Sequence, residues 1–211
     1  MSAFYDALTP EIIKFVEAQP MFFTATAPAA GRINLSPKGM DTFRVLDEHT
    51  VAWLDLTGSG NETATHIREN GRITLMFCGF GAEARIVRLY GTGQVIRPHH
   101  AEFEALRRRF PDYPGVRQIM QVTIASAMTS CGYGVPRMEL VKERETLAAY
   151  WAKRGDDAAS RYWREHNVHS IDGLESGILD DDATSSTDPP RRIAAAREPS
   201  ISPPRASRAR R

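Results

Sequence analysis

The sequence predicts a mainly β (α+β) protein, an antiparallel barrel of six to seven strands with flanking helices. Three observations predict it. Short apolar runs alternate with a period of two, so each strand has one face to bury. Gly, Pro and Asn punctuate the chain at hairpin spacing. The helical patterns are too few to alternate with the strands, as a doubly wound parallel sheet requires. The 211 residues suffice for one sizeable core.

In chain order, Thr9 caps a first helix with Pro10 at its first position and Pro20 after its end. Met21 to Ala27 and Ile33 to Ser36 read as strands, the second broken by Pro37-Lys-Gly39. Thr42 to Leu46 is extended and turns into Val51 to Leu56. Gly58-Ser-Gly-Asn61 is a permissive turn, and Glu62 to Asn70 a short helix stopped by Gly71. Arg72 to Phe80 is a strand with Ile73, Leu75 and Phe77 on one face. Arg85 to Ile96 follows, with Gly91 and Gly93 marking a bulge or a close backbone approach. Pro98 to Phe110 is helical. Ile119 to Met128 alternates, with Met120, Val122, Ile124 and Met128 on one side. A loop at 131–136 leads to a last short strand, Arg137 to Val141, and to helical stretches at Thr146 to Lys153 and Ala158 to His166. Residues 1–179 form one domain. Residues 180–211 form a Pro/Ser/Arg-rich tail with too little apolar surface to fold.

Charge is almost balanced, 27 basic against 26 acidic residues, and the tail carries +2 of it, leaving the rest near −1. That gives no electrostatic case for nucleic acid as a partner. Two cysteines are too few for a disulfide framework. The longest uncharged run, Gln118 to Pro136, is too polar to span a bilayer. The first 20 residues carry Asp6, Glu11, Lys14 and Glu17 rather than a basic start and an apolar block. The expectation is a soluble cytoplasmic protein without a membrane partner.

The stretch that organises the chain is W-L-D-L-T-G-S-G-N-E-T-A-T-H at 53–66. A strand, a glycine turn and a helix start bring free backbone N–H groups together with little side-chain bulk, a geometry that suits an anion. The alternative is a surface turn with Asn61 as N-cap.

With N-L-S-P-K-G at 34–39, R-I-T-L-M-F-C at 72–78, S-C-G-Y-G-V-P at 130–136 and N-x-x-S-I-D-G-L at 167–174, that stretch resembles the pyridoxamine 5′-phosphate oxidase-like superfamily, the FMN-binding split β-barrels. Within it, the chain is similar to the bacterial and fungal branch described as pyridoxamine-phosphate-oxidase-related. The resemblance covers about residues 5–176. It implies a homodimer with FMN in a groove between protomers. Asn34, Leu35, Ser36 and Lys38 would line the ring and ribityl chain. Ser59, Gly60, Asn61, Glu62 and Thr63 would surround the phosphate. One departure stands out. The true oxidases carry an Arg-Lys pair in the phosphate loop, and here the loop reads S-G-N-E-T. Lys38 must then supply the charge, with Arg68 in reserve, and Glu62 must turn away to bond a free N–H or the cap residue. The Arg-x-His pattern that binds the substrate phosphate of the true oxidases is not recognisable, so pyridoxine-phosphate synthesis is not expected. The implied function is an FMN-dependent oxidoreductase of unnamed substrate. The alternative is a non-enzymatic carrier or sensor, and FAD, deazaflavin F420 or haem are alternative cofactors. No residue is singled out as a catalytic acid or base, and no metal site is expected. His66 and Trp53 are read as packed residues, and Cys131 as a small packed residue.

Overall fold

The computed structural model describes residues 2–180; the expectation for the tail, Asp180 apart, lies outside the described residues. Among the described residues, eight strands and five helices follow in the order β1 (Ala3–Tyr5), α1 (Pro10–Glu17), β2 (Phe22–Thr26), β3 (Asn34–Lys38), β4 (Phe43–Asp47), β5 (Thr50–Leu56), α2 (Glu62–Asn70), β6 (Arg72–Cys78), β7 (Arg85–Ile96), α3 (Phe103–Arg107), β8 (Val116–Cys131), α4 (Thr146–Arg154) and α5 (Asp156–His166). All pairings between these strands are antiparallel.

The strands run in the order β3-β2-β6-β7-β8-β5-β4, with β1 added to β8. β8 is the spine, pairing with β1, β5 and β7. The path is open, for β3 and β4 are its two ends. Yet the Phe43 ring on β4 lies 5.2 Å from Phe22 on β2 and 4.9 Å from Phe77 on β6. The sheet therefore curls until its ends face across the interior, and side chains close what ladder bonds leave open. That interior holds Trp53, Leu75, Phe77, Leu89, Met120 and Val122, with Ile12, Phe15 and Val16 of α1 packed against it.

Several details differ from expectation. β1 is an eighth strand, too short to show a pattern. Arg137 to Val141 is not a strand; the segment crosses β6's end with a bond from Met138 N–H to the Phe80 carbonyl. The predicted helix over 98–110 contracts to α3, because turn bonds such as His100 N–H to the Arg97 carbonyl occupy its first residues. Pro37 does not break β3. It sits on an edge strand, where a missing N–H costs no ladder bond. β5 is buried on both faces, since Ala52 and Leu54 pack under Phe103 and Phe110 of the α3 segment. Met128 does not share the face of Met120 and Val122. The β7–β8 register shifts at Tyr90/Gly91, one residue is taken up, and wholly buried Ala127 holds the inward position instead.

Candidate functional site

Period-two geometry builds the first wall. On β3, Asn34, Ser36 and Lys38 share one half-buried face, and Leu35 and Pro37 point the other way into solvent. The second wall is the turn after β5 and the start of α2. Thr65 N–H closes the first helical turn on the Asn61 carbonyl at 3.2 Å, so the N–H groups of Glu62, Thr63 and Ala64 fall outside the intrahelical ladder. Gly71 ends α2 with φ of 72° and returns the chain into β6. Gly93 lets α2 sit this close to the barrel, because a Cβ there would stand 2.6 Å from Ile67 Cδ1.

A buried charge network joins these walls. Asp55, on β5, is 2% exposed. Its carboxylate accepts from Arg117 Nη2 at 2.8 Å and Nε at 3.1 Å, from Gln118 Nε2 at 2.9 Å and from Lys38 Nζ at 3.2 Å. Burial pushes this carboxyl up, but Arg117, Lys38 and Gln118 outweigh it and hold it well below the usual carboxylate range. Arg117 also donates to the Gly60 carbonyl at 2.9 Å and to Asn167 Oδ1 at 2.7 Å. Asn167 Nδ2 reaches the Ser59 carbonyl at 3.4 Å. The glycine turn is thus clamped from behind by a residue more than 100 positions along the chain. A second, smaller network runs from Ser36 to Asn34 at 3.1 Å, from Asn34 to Thr63 at 3.1 Å and to Thr26 at 3.4 Å, with His66 Nδ1 2.9 Å from Thr26 Oγ1.

Eight of the nine residues proposed from the sequence line a single cleft of about 300 Å³: Asn34, Ser36 and Lys38 from β3, and Ser59 to Thr63 opposite. Leu35 does not, its side chain being 63% exposed on the other face of β3. Asn61 begins α2, but its side chain does not cap the helix; Oδ1 accepts from Gln118 at 2.7 Å and Nδ2 is buried without a partner. Glu62 is turned to the C-terminal segment, where its oxygens accept Ile171 N–H at 3.1 and 3.3 Å. Arg68 pairs with Asp180. His66 and Trp53 are fully buried, and Cys131 is exposed at the end of β8.

The residues that sequence reasoning missed are Asp55, Arg117, Gln118 and Asn167. Asp55 had a signal, because a carboxylate between Leu54 and Leu56 in an apolar strand is buried and needs partners. Asn167 had one in heading the motif at 167–174, which did not give its partners; Arg117 and Gln118 had none beyond their polarity.

A larger cleft of about 820 Å³ adjoins the small one and shares Pro37, Lys38, Gly58 and Ser59 with it. Its far wall comes from the loop before α4, from α4 itself and from Tyr162 of α5. Among the described residues no helix is long and apolar enough to cross a membrane.

A curled antiparallel sheet with a polar cleft between an edge strand and a helix start is the architecture of a split-barrel protein. Residues 8–131 match the family description pyridoxamine 5′-phosphate oxidase. The chain is 38% identical over 194 residues to the pyridoxamine 5′-phosphate oxidase family protein ustO of Aspergillus flavus, covering 82% of this chain and 77% of that one. The chain therefore belongs to the pyridoxamine 5′-phosphate oxidase family. Among solved structures it is similar to a HupZ variant from Group A Streptococcus, at 21% identity and TM-score 0.48, covering 58% of this chain and 99% of that one. It is also similar to an FMN-binding protein from Syntrophomonas wolfei, at 12% identity and TM-score 0.42, covering 56% and 86%.

Proposed function

We propose that the chain is a flavin-dependent oxidoreductase that takes FMN, with the phosphate in the small cleft and the ring toward the larger one. The observation that carries the reading is the junction itself: a polar cleft at a helix start opens into a larger apolar one, with Lys38 lining both. The donors fit a phosphate ester. The N–H groups at the start of α2 lie outside the helix ladder, Asn61 Nδ2 is buried without a partner, and Ser36, Ser59 and Thr63 of the cleft lining add hydroxyls. Lys38 and Arg117 share one carboxylate, so their cluster keeps one net positive charge, and Glu62 is engaged elsewhere. A bound flavin supplies hydride acceptance and onward electron transfer, while the chain supplies binding, orientation and field.

Two copies of the chain form the working unit in this reading. Phe4, Ile33, Leu35 and Tyr133 are large apolar or aromatic side chains exposed at 63–87% and give a second copy a surface to cover.

The test begins with the visible absorption spectrum of the purified protein, in which a flavin band is expected. Lys38→Ala should then weaken FMN by roughly ten- to a hundredfold, as expected for one charge-assisted bond. Riboflavin, which lacks the phosphate, should weaken much less. A colourless protein that binds neither ligand overturns the reading.

A further inference from the structure

The larger cleft has a chemistry of its own. Its floor is an aromatic corner. Trp151 is 4% exposed, with Tyr150 and Tyr162 set edge-on at 4.9 and 5.7 Å between ring centroids. This corner is fixed in place. Trp151 Nε1 donates to the Thr57 carbonyl at 2.8 Å, and Trp163 Nε1 to the Thr57 hydroxyl at 2.8 Å. Gly115, at φ of 73°, leaves room for the indole, since a Cβ there would stand 2.5 Å from Trp151 Cγ. The rest of the lining is apolar and adaptable, with Met21, Phe80, Met138, Leu140 and Leu147. Met138 and Leu140 are 57% and 60% exposed, apolar side chains held at water in a concave surface. Met138 is kept there by the bond from its N–H to the Phe80 carbonyl.

Charge narrows the ligand further. The charged residues lining this cleft are Lys38, Glu139, Lys142, Glu143 and Arg144. Lys38 shares Asp55 with Arg117 and belongs to the cluster whose net positive charge faces the small cleft; the other four are two cations against two carboxylates. A balanced rim over an aromatic floor complements a ligand without net charge, and gives a phosphate dianion no excess of cations to meet. The volume, about 820 Å³, is near the upper end of the roughly 300–1,000 Å³ of small-molecule sites and exceeds what a single pyridine ring fills.

We infer that this cleft binds the organic substrate, and that the substrate is an aromatic molecule of more than one ring with no net charge. The assignment of that ligand as substrate rests on the flavin reading; its binding does not. Most of the wall that selects it lies beyond residue 131, outside the stretch matched to the family.

The experiment compares two probes with one ring system. N-phenyl-1-naphthylamine is neutral, and 1-anilinonaphthalene-8-sulfonate adds one negative charge. Equilibrium dialysis against the full-length protein as purified should give one neutral probe per chain, bound with an affinity that salt does not change. The sulfonate should bind at least fivefold more weakly, and pyridoxine 5′-phosphate should not displace the neutral probe. Leu140→Glu should weaken the neutral probe at least tenfold, with melting temperature and flavin content unchanged. Met138→Glu repeats the test from a second exposed position. Tighter binding of the sulfonate, displacement by pyridoxine 5′-phosphate, or neutral-probe binding that both variants leave intact overturns the inference. Loss of flavin together with probe binding also overturns it, because the wall then serves the flavin. A protein that binds the neutral probe as described but carries no flavin leaves the cleft assigned and removes the oxidoreductase reading alone.

Discussion

Replacing Asp55 by Asn removes the one carboxylate that Lys38 and Arg117 share, while keeping the side chain's shape. Asp55 and the Arg117 side chain are 2% and 4% exposed, so the guanidinium is left buried without its counter-charge. Breaking a buried pair from one side costs about 3–5 kcal/mol. For a domain of this size each kcal/mol moves the melting temperature by about 2–4 °C, which places the expected fall at roughly 6–20 °C. The pH dependence has a definite sign. The folded-state pKa of Asp55 is depressed, so its contribution is complete above the unfolded value of about 3.9 and is lost as pH falls toward the lower folded value. The wild type should therefore lose stability more steeply than the variant below about pH 4, and the two melting temperatures should converge there. The same change leaves Lys38 and Arg117 unneutralised at the small cleft, so inorganic phosphate should raise the variant's melting temperature more than the wild type's. Differential scanning calorimetry from pH 3 to 8, with and without phosphate, reads all three effects. A variant that melts within about 2 °C of wild type at pH 7 would refute the argument that this network holds the site together.

Asn167→Ala removes acceptors and donors that tie α5's end to Arg117 and Ser59; a loss of about 1.5–3 kcal/mol is expected in denaturant unfolding, with FMN affinity falling as the glycine turn loosens. Gly93→Val places a side chain against Ile67 and should cost about 1–3 kcal/mol while displacing α2, so weaker FMN binding should accompany the lower midpoint. Light scattering at micromolar concentration should give the mass of two chains, and Leu35→Glu should shift it toward one, since that side chain is 63% exposed on an edge strand. Truncation after Leu179 removes one half-exposed partner of Arg68 and should lower the melting temperature by less than about 4 °C.

Local pattern was enough for most of the barrel. Alternation marked β2, β6, β7 and β8, Thr9 and Pro10 marked the start of α1, and Gly71 the end of α2, because those signals act over a few residues. The same period of two placed Asn34, Ser36 and Lys38 on one face, and the turn at 58–61 gave the other wall of the cleft. Motif order placed the chain in its family. What pattern missed depends on partners distant in sequence. The inward phase of β8 beyond Ile124 was set by the shift against β7, and the second buried face of β5 by α3. Residues 137–141 looked like a strand, but among the described residues no strand pairs with them. Asp55 lies 62 residues from Arg117, and Arg117 a further 50 from Asn167. A buried ion pair leaves only isolated polar residues in the sequence. Its charges meet because the sheet curls and the chain beyond α5 returns over the glycine turn, and only the tertiary structure decides that.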